Sequence, residues 1–157
     1  MSPLKIRKAT LNDFEDILAL NHNLFELESE KFDPGLNMEW TFSELGREYF
    51  TKTIQDKFAM VAVDTGGIIG YLAGSANIKN PILKNPYAEL ENMYVKGIYR
   101  GRGIGKLLYD EFKKYCLSMG AKEIRVTALV KNTEALGFYK SRGFEPLNMT
   151  LKIKIEA

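Results

Sequence analysis

Arg100-Gly101-Arg102-Gly103-Ile104-Gly105-Lys106 brings together the residue types that an anion site needs. Glycine lets the main chain approach a phosphate closely, and Arg100, Arg102 and Lys106 add positive charge around it. The run follows the strand-like segment Ala88–Val95 and opens the helix-like segment Lys106–Phe112. A helix N-terminus there adds unsatisfied N–H groups and partial positive charge. Two familiar phosphate loops fail on residue type. A Walker loop needs Ser or Thr after its Lys and Gly at its first position, but Leu107 and Arg100 stand there. A dinucleotide fingerprint needs a third Gly where Lys106 stands, or Leu108 in the other register. Just upstream, Glu89 and Glu91 are two residues apart, so both point to one sheet face unless a bulge intervenes. Burial there would raise a carboxyl pKa towards the working range of a general base.

The elements that must position these groups follow from periodicity. Leu4–Arg7 alternates as a first strand. Thr10 and Asp13 form a capping-box pattern before a helix with Leu11, Phe14, Ile17, Leu18 and Leu24 on its apolar face. Phe32–Leu36 breaks that helix, and a second is predicted over 43–53. Strands are predicted over 58–63 and 68–78, joined by the turn Asp64-Thr65-Gly66-Gly67. A polar loop, 79–86, leads into the strand before the glycine-rich turn. The helix after that turn is apolar at 104, 107, 108, 112, 115 and 119 and ends at Gly120. A strand over 123–130, a short helix over 132–141 and a last strand carrying Met149, Leu151, Ile153 and Ile155 complete the chain. No linker or repeat is visible.

Arg100, Gly103 and Gly105 satisfy the pattern Arg/Gln-x-x-Gly-x-Gly/Ala. The strand before them reads Glu-Leu-Glu-Asn-Met-Tyr-Val. Asn132, Ala135, Phe138-Tyr139 and Gly143-Phe144 follow in order. In this ordered set the chain resembles the GCN5-related N-acetyltransferase (GNAT) family, specifically from about Ala88 to Glu145 and in layout alone before that. The resemblance implies a single domain over residues 1–157. The implied fold is α+β, with a mixed, mostly antiparallel central sheet flanked by helices on both faces. The implied reaction is acetyl transfer from acetyl-CoA to a primary amine by direct attack in a ternary complex, with no metal. Pantetheine would lie in a strand gap against the backbone of Met93, Tyr94 and Val95. A backbone N–H near Met93 or Tyr94 would face the thioester oxygen. Arg100, Gly101, Arg102, Gly103, Ile104, Gly105 and Lys106 would hold the pyrophosphate, with Asn132 and Ala135 on the cofactor arm. Asn132 equally suits a helix N-cap. Tyr139 takes the family's general-acid position. A phenol with a pKa of ~10 is protonated when a thiolate whose thiol has a pKa of ~8.5 departs. Glu89 or Glu91 would be the base, with Glu89 slightly preferred, and some members of the family use none.

Composition sets the remaining bounds. A chain of 157 residues with 45% hydrophobic content can bury its own core. One cysteine, Cys116, and one histidine, His22, argue against a disulfide, a structural zinc site and a His-based triad. No membrane span or signal peptide is read, so the expected location is cytoplasmic. A net charge of +2 argues against nucleic acid as a partner. Residues 9–50 carry ten acids and two Lys/Arg, whereas residues 96–157 carry thirteen Lys/Arg and six acids. That polarity suits an anionic cofactor at one side and a cationic acceptor at the other, and it also suits ordinary solvated helix faces. Glu28, Asp33 and Trp40 are the acceptor-side candidates, and acidic plus aromatic residues suit a small amine such as a polyamine. A protein N-terminus or a peptide lysine is the alternative acceptor. A CoA-binding module without catalysis is the alternative of another class. Family members are often dimers, so the resemblance allows a homodimer, but nothing in the sequence specifies an interface and the oligomeric state stays open.

Overall fold

The computed structural model describes residues 3–156. Its contacts divide into two units, one ending at Thr127 and the other starting at Ala128. The first holds a five-stranded sheet in the order β1 (Lys5–Lys8), β2 (Phe58–Asp64), β3 (Gly67–Ile78), β4 (Tyr87–Val95), β5 (Ile124–Val126). The first four strands are antiparallel in sequence, and β5 runs parallel to β4.

Helix α1 (Phe14–Lys31) begins where the capping box predicts, after a single 3-10 turn, Leu11–Asp13. The Asp13 carboxylate accepts the Thr10 N–H at 2.8 Å and both Arg7 guanidinium nitrogens at 2.8 and 2.9 Å. The residue that starts the helix therefore also fastens it to β1, and Arg7 holds the Asp13 carboxyl below the usual carboxylate range. Helix α1 buries Ile17, Leu18, Leu20 and Asn21, while Leu11 stays exposed. Helix α2 (Glu44–Asp56) is capped by Ser43, whose Oγ accepts the Gly46 N–H, and it buries Phe50, Thr53 and Ile54.

Together α1 and α2 cover the sheet face that carries Val61, Tyr71 and Ala73. Strand side chains alternate, so Gly74 faces the other way, where helix α3 (Ile104–Ser118) packs. A Cβ built on Gly74 would lie 2.7 Å from the Phe112 ring and 2.7 Å from the Glu89 carbonyl oxygen, so α3 seats against a position only glycine fills. Ile104, Leu108, Phe112 and Cys116 are its buried stripe, and burial pushes the Cys116 thiol up to about 11. No helix among the described residues is long and apolar enough to cross a membrane.

The second unit holds helix α4 (Thr133–Ser141), whose start at Asn132 agrees with the sequence reading. Two expectations are corrected. The strand predicted over 123–130 is a ladder only at Ile124–Val126. The last strand, predicted around Met149–Ile155, is no strand: residues 145–156 take no place in a ladder among the described residues and are exposed. A strand is defined by a partner, and alternation supplies only half of that requirement.

Candidate functional site

The glycine-rich turn leaves main-chain donors without acceptors at a helix start. Gly101 and Gly103 have φ of 75° and 79°, the left-handed region that glycine adopts without steric cost. Gly103 is the residue from which α3 starts. Arg100 donates its N–H to Gly97, and the next backbone donor with a backbone acceptor is Leu107, to Gly103 at 3.1 Å. Between them the N–H groups of Gly101 to Lys106 have no protein acceptor among the described residues. They converge at the positive end of a helix of 15 residues. Arg102 and Lys106 are exposed beside it. The Arg102 guanidinium lies 5.5 Å over the Tyr99 ring, and Lys106 pairs with Asp110 at 2.8 Å. Arg100 acts differently from the reading of its sequence: its Nε donates to the Val95 carbonyl at 2.8 Å and its guanidinium lies 5.1 Å over the Tyr94 ring. Its side chain is spent on tying the turn to β4.

Among the described residues the β4 edge next to that tie has no ladder partner. β5 pairs with β4 only at Ala88, Glu89 and Leu90, while β4 continues to Val95. The Val95 carbonyl points away from β3, since Arg100 takes it. The two-residue period puts the main-chain groups of Met93 on the same unpaired edge. A strand-like ligand arm finds donors and acceptors there.

A bulge shapes the opposite side of β4. The register with β3 jumps from Ala73↔Asn92 to Gly74↔Leu90, leaving Glu91 as the extra residue. Glu89 and Glu91 stay on the α1–α2 face, and the bulge brings Asn92 there as well, its Nδ2 donating to the Tyr49 hydroxyl at 3.0 Å. Glu91 is committed: Ser75 Oγ donates to its Oε2 at 3.0 Å. Burial first, then the Glu91 charge, pushes the Tyr49 phenol up. Glu89 makes no hydrogen bond among the described residues. Its half-buried carboxyl is raised by burial and then by Glu91, against the opposing pull of Arg125 and Lys57.

Between α1 and the sheet, Asn21 donates to the Tyr71 hydroxyl at 2.9 Å and accepts from Thr41 Oγ1 at 2.6 Å. All three are buried, and they pin α1, the segment before α2 and β3 to one another. Glu28 on α1 is half-buried and raised by desolvation. The Asp33 Oδ1 accepts the Gly35 N–H at 3.0 Å and shapes the turn after α1. Trp40 packs within an aromatic cluster, its ring 5.6 Å from Tyr49 and 5.9 Å from Phe25. In the second unit, Asn132 Oδ1 accepts the Ala135 N–H at 3.1 Å, the capping role. The Tyr139 ring stands between Phe138 at 5.4 Å and Phe144 at 5.5 Å.

The acetyltransferase (GNAT) family model matches residues 21–144. The chain belongs to the GNAT acetyltransferase family. An uncharacterized N-acetyltransferase of Methanocaldococcus jannaschii is 29% identical over 140 residues, covering 89% of this chain and 60% of that protein. The chain thus spans about three fifths of that relative's length. The thialysine N-epsilon-acetyltransferase of Mus musculus is 25% identical over 150 residues, covering 94% and 87%. The solved structure of the aminoglycoside N-acetyltransferase AAC(6')-Iy with CoA shares the fold, with a TM-score of 0.76 at 20% identity over 100% of this chain and 97% of that one.

In this GNAT chain the sequence located the turn, the strand edge and the acidic pair. It missed Tyr49, Asn92 and Ser75, which decide how the two glutamates differ, and the Asn21–Thr41–Tyr71 network. The only signal for these was a polar residue at a position that periodicity assigns to the core, as Asn21 is between Leu20 and Leu24. No group of three or more His, Cys, Asp or Glu among the described residues could hold a metal ion.

Proposed function

We propose that this chain transfers the acetyl group of acetyl-CoA to the primary amine of a small cationic acceptor. The observation that carries the reading is a pair of main-chain stretches joined by Arg100: the β4 edge at Met93, which has no ladder partner among the described residues, and the N–H groups of Gly101–Lys106, which have no protein acceptor among them. The first suits the pantetheine amides and the second a pyrophosphate.

The reaction needs four acts. The amine loses a proton, its nitrogen attacks the thioester carbonyl, the oxyanion is stabilised, and the thiolate is protonated as the C–S bond breaks. Glu89 is the proton acceptor, directly or through water, because its lone pairs are uncommitted and its pKa is raised. Glu91, held by Ser75, is a positioning residue whose charge raises Glu89 further. A main-chain N–H near Met93 or Tyr94 serves the oxyanion. Tyr139 delivers the proton to the thiolate, and Asn132 and Ala135 shape the start of the helix that carries it.

For the acceptor, Glu28 supplies a half-buried carboxylate, Asp33 lies on the turn after α1, and Trp40 adds an aromatic wall. Among the relatives, one at 30% identity over 77 residues is named for a ribosomal protein alanine as acceptor, but the thialysine enzyme matches over 94% of this chain, which favours a small acceptor over a peptide. A polyamine is the first choice. Thermal-shift titration with acetyl-CoA, CoA, ATP and NAD tests the cofactor, since only a ligand of the native state raises the melting temperature. Stabilisation by acetyl-CoA and CoA alone, followed by thiol release with a panel of amines, is expected. Stabilisation by ATP or NAD instead would overturn the assignment. Binding without release over the whole panel would make the chain a CoA-binding module.

A further inference from the structure

Arg125 stands directly across the sheet from Glu89 and does not pair with it. The parallel ladder sets Ala88 against Ile124, Glu89 against Arg125 and Leu90 against Val126. Opposite charges in register on neighbouring strands ordinarily meet, because their side chains leave the same face side by side. Here no hydrogen bond or ion pair joins them. Arg125 turns back along β5 instead. Its Nε donates to Glu123 Oε1 at 2.9 Å, and its guanidinium lies 4.6 Å over the Tyr87 ring.

The residues involved form a square on the face that carries Glu89. Tyr87 and Glu89 are two apart on β4, and Glu123 and Arg125 are two apart at the start of β5. The two-residue period puts each pair on one side of the sheet. Arg125 can therefore reach straight across to Glu89 or diagonally back to Tyr87. An ion pair with Glu123 alone would hold it weakly, since both side chains are partly exposed. The ring adds the second hold: a carboxylate at the edge and an aromatic face beneath fix a planar guanidinium in direction and in plane. The frame under the latch is fixed as well, because the Glu123 carbonyl accepts the Ala88 N–H at 2.9 Å.

The beneficiary is Glu89. A guanidinium bound to it directly would occupy its lone pairs and favour its charged form. Held back, Arg125 acts on it only through space, as do Lys57 after α2 and Glu91 on β4. Burial then prevails, and the Glu89 carboxyl stays raised and uncommitted.

We infer that Tyr87 and Glu123 latch Arg125 away from Glu89 and so leave the Glu89 carboxylate free to take the acceptor's proton, which makes all three positioning residues. The inference rests on the reading of Glu89 as the base. Carboxyl-carbon NMR of glutamate-labelled protein reads the latch without any substrate. Glu123→Ala should let Arg125 reach across, so that Glu89 titrates at lower pH than in the wild type. Part of that fall comes from losing the Glu123 charge, and the same substitution made on Arg125→Met measures that part. The fall should be clearly smaller on that background. Tyr87→Leu removes the ring without changing a charge and should also lower the Glu89 titration, whereas Tyr87→Phe should leave it in place. Equal falls on the two backgrounds, or no fall with Tyr87→Leu, would overturn the latch. Thiol release from acetyl-CoA with spermidine as the amine then separates the two readings. In Glu123→Ala the rising limb of the pH profile should follow the carboxyl to lower pH. Its plateau should fall towards the loss of about 10²–10⁴ expected of Glu89→Gln, with the KM for acetyl-CoA unchanged. A carboxyl that shifts while the limb stays would uphold the latch and remove Glu89 as the base.

Discussion

Gly103 allows the phosphate cradle to be tested with backbone strain and charge separated. It starts α3 at φ 79°, and a Cβ added there meets nothing within 4 Å. Gly103→Ala therefore costs conformation alone, about 1–2 kcal/mol for a left-handed residue. Gly103→Asp occupies the same space. Asp tolerates the left-handed region better, and its charge favours a helix N-terminus, so the unliganded Asp variant should be at least as stable as Ala. Binding should rank the other way. A carboxylate roughly 5 Å from a phosphate charge is repelled by about 3 kcal/mol at an effective dielectric of about 20, close to a hundredfold in Kd. Calorimetric titration with CoA should give a modest loss for Ala and a loss near a hundredfold for Asp, with the gap narrowing as salt rises. Equal affinities for Ala and Asp, or a gap that ignores salt, would refute the placement of phosphate at this turn.

The remaining predictions concern the reacting groups and their frame. Tyr139→Phe should lower kcat while leaving acetyl-CoA affinity nearly unchanged, and full turnover would remove Tyr139 as the acid. Glu89→Gln should lose about 10²–10⁴ in kcat/KM together with its alkaline-rising limb, the range for a general base, whereas Glu91→Gln should keep the limb with its midpoint moved to lower pH. Stability gives a second readout. The folded pKa of Glu89 lies above its ordinary value of 4.5, so the folded state binds the proton more tightly. The wild type then loses stability as pH rises from that value through the raised one, and Glu89→Gln should not. The difference in melting temperature should grow across that window and be flat above it. Gly74→Ala should destabilise by about 1–3 kcal/mol in urea unfolding, since its Cβ meets both the Glu89 carbonyl and the Phe112 ring at 2.7 Å.

Much of this was legible in the sequence because it is local. The turn from Arg100 to Lys106, the capping box at Thr10 and Asp13, and the cap at Asn132 depend on neighbours a few residues away. What was not legible depends on partners far along the chain. The ring of Tyr71 meets Asn21 across 50 positions, and the split between Glu89 and Glu91 needs a bulge whose place depends on β3. The tail alternates as a strand should, yet a ladder also needs a partner, which alternation does not supply. Arg100 was read by its charge, whereas geometry gives its side chain to Val95 and Tyr94.

That Arg100 tie has a consequence for how a long ligand is held. It makes the strand edge and the helix start one stiff body, so the span between the two binding stations is set before any ligand arrives. A molecule whose two ends match that span gains from the second contact without spending freedom to find it. Severed halves, a pantetheine fragment and an adenosine diphosphate, would each bind weakly, and their free energies would sum to less than that of the intact molecule. Lysine in place of Arg100 would keep the charge but lose the planar stack, and with it the fixed distance that makes the whole exceed its parts.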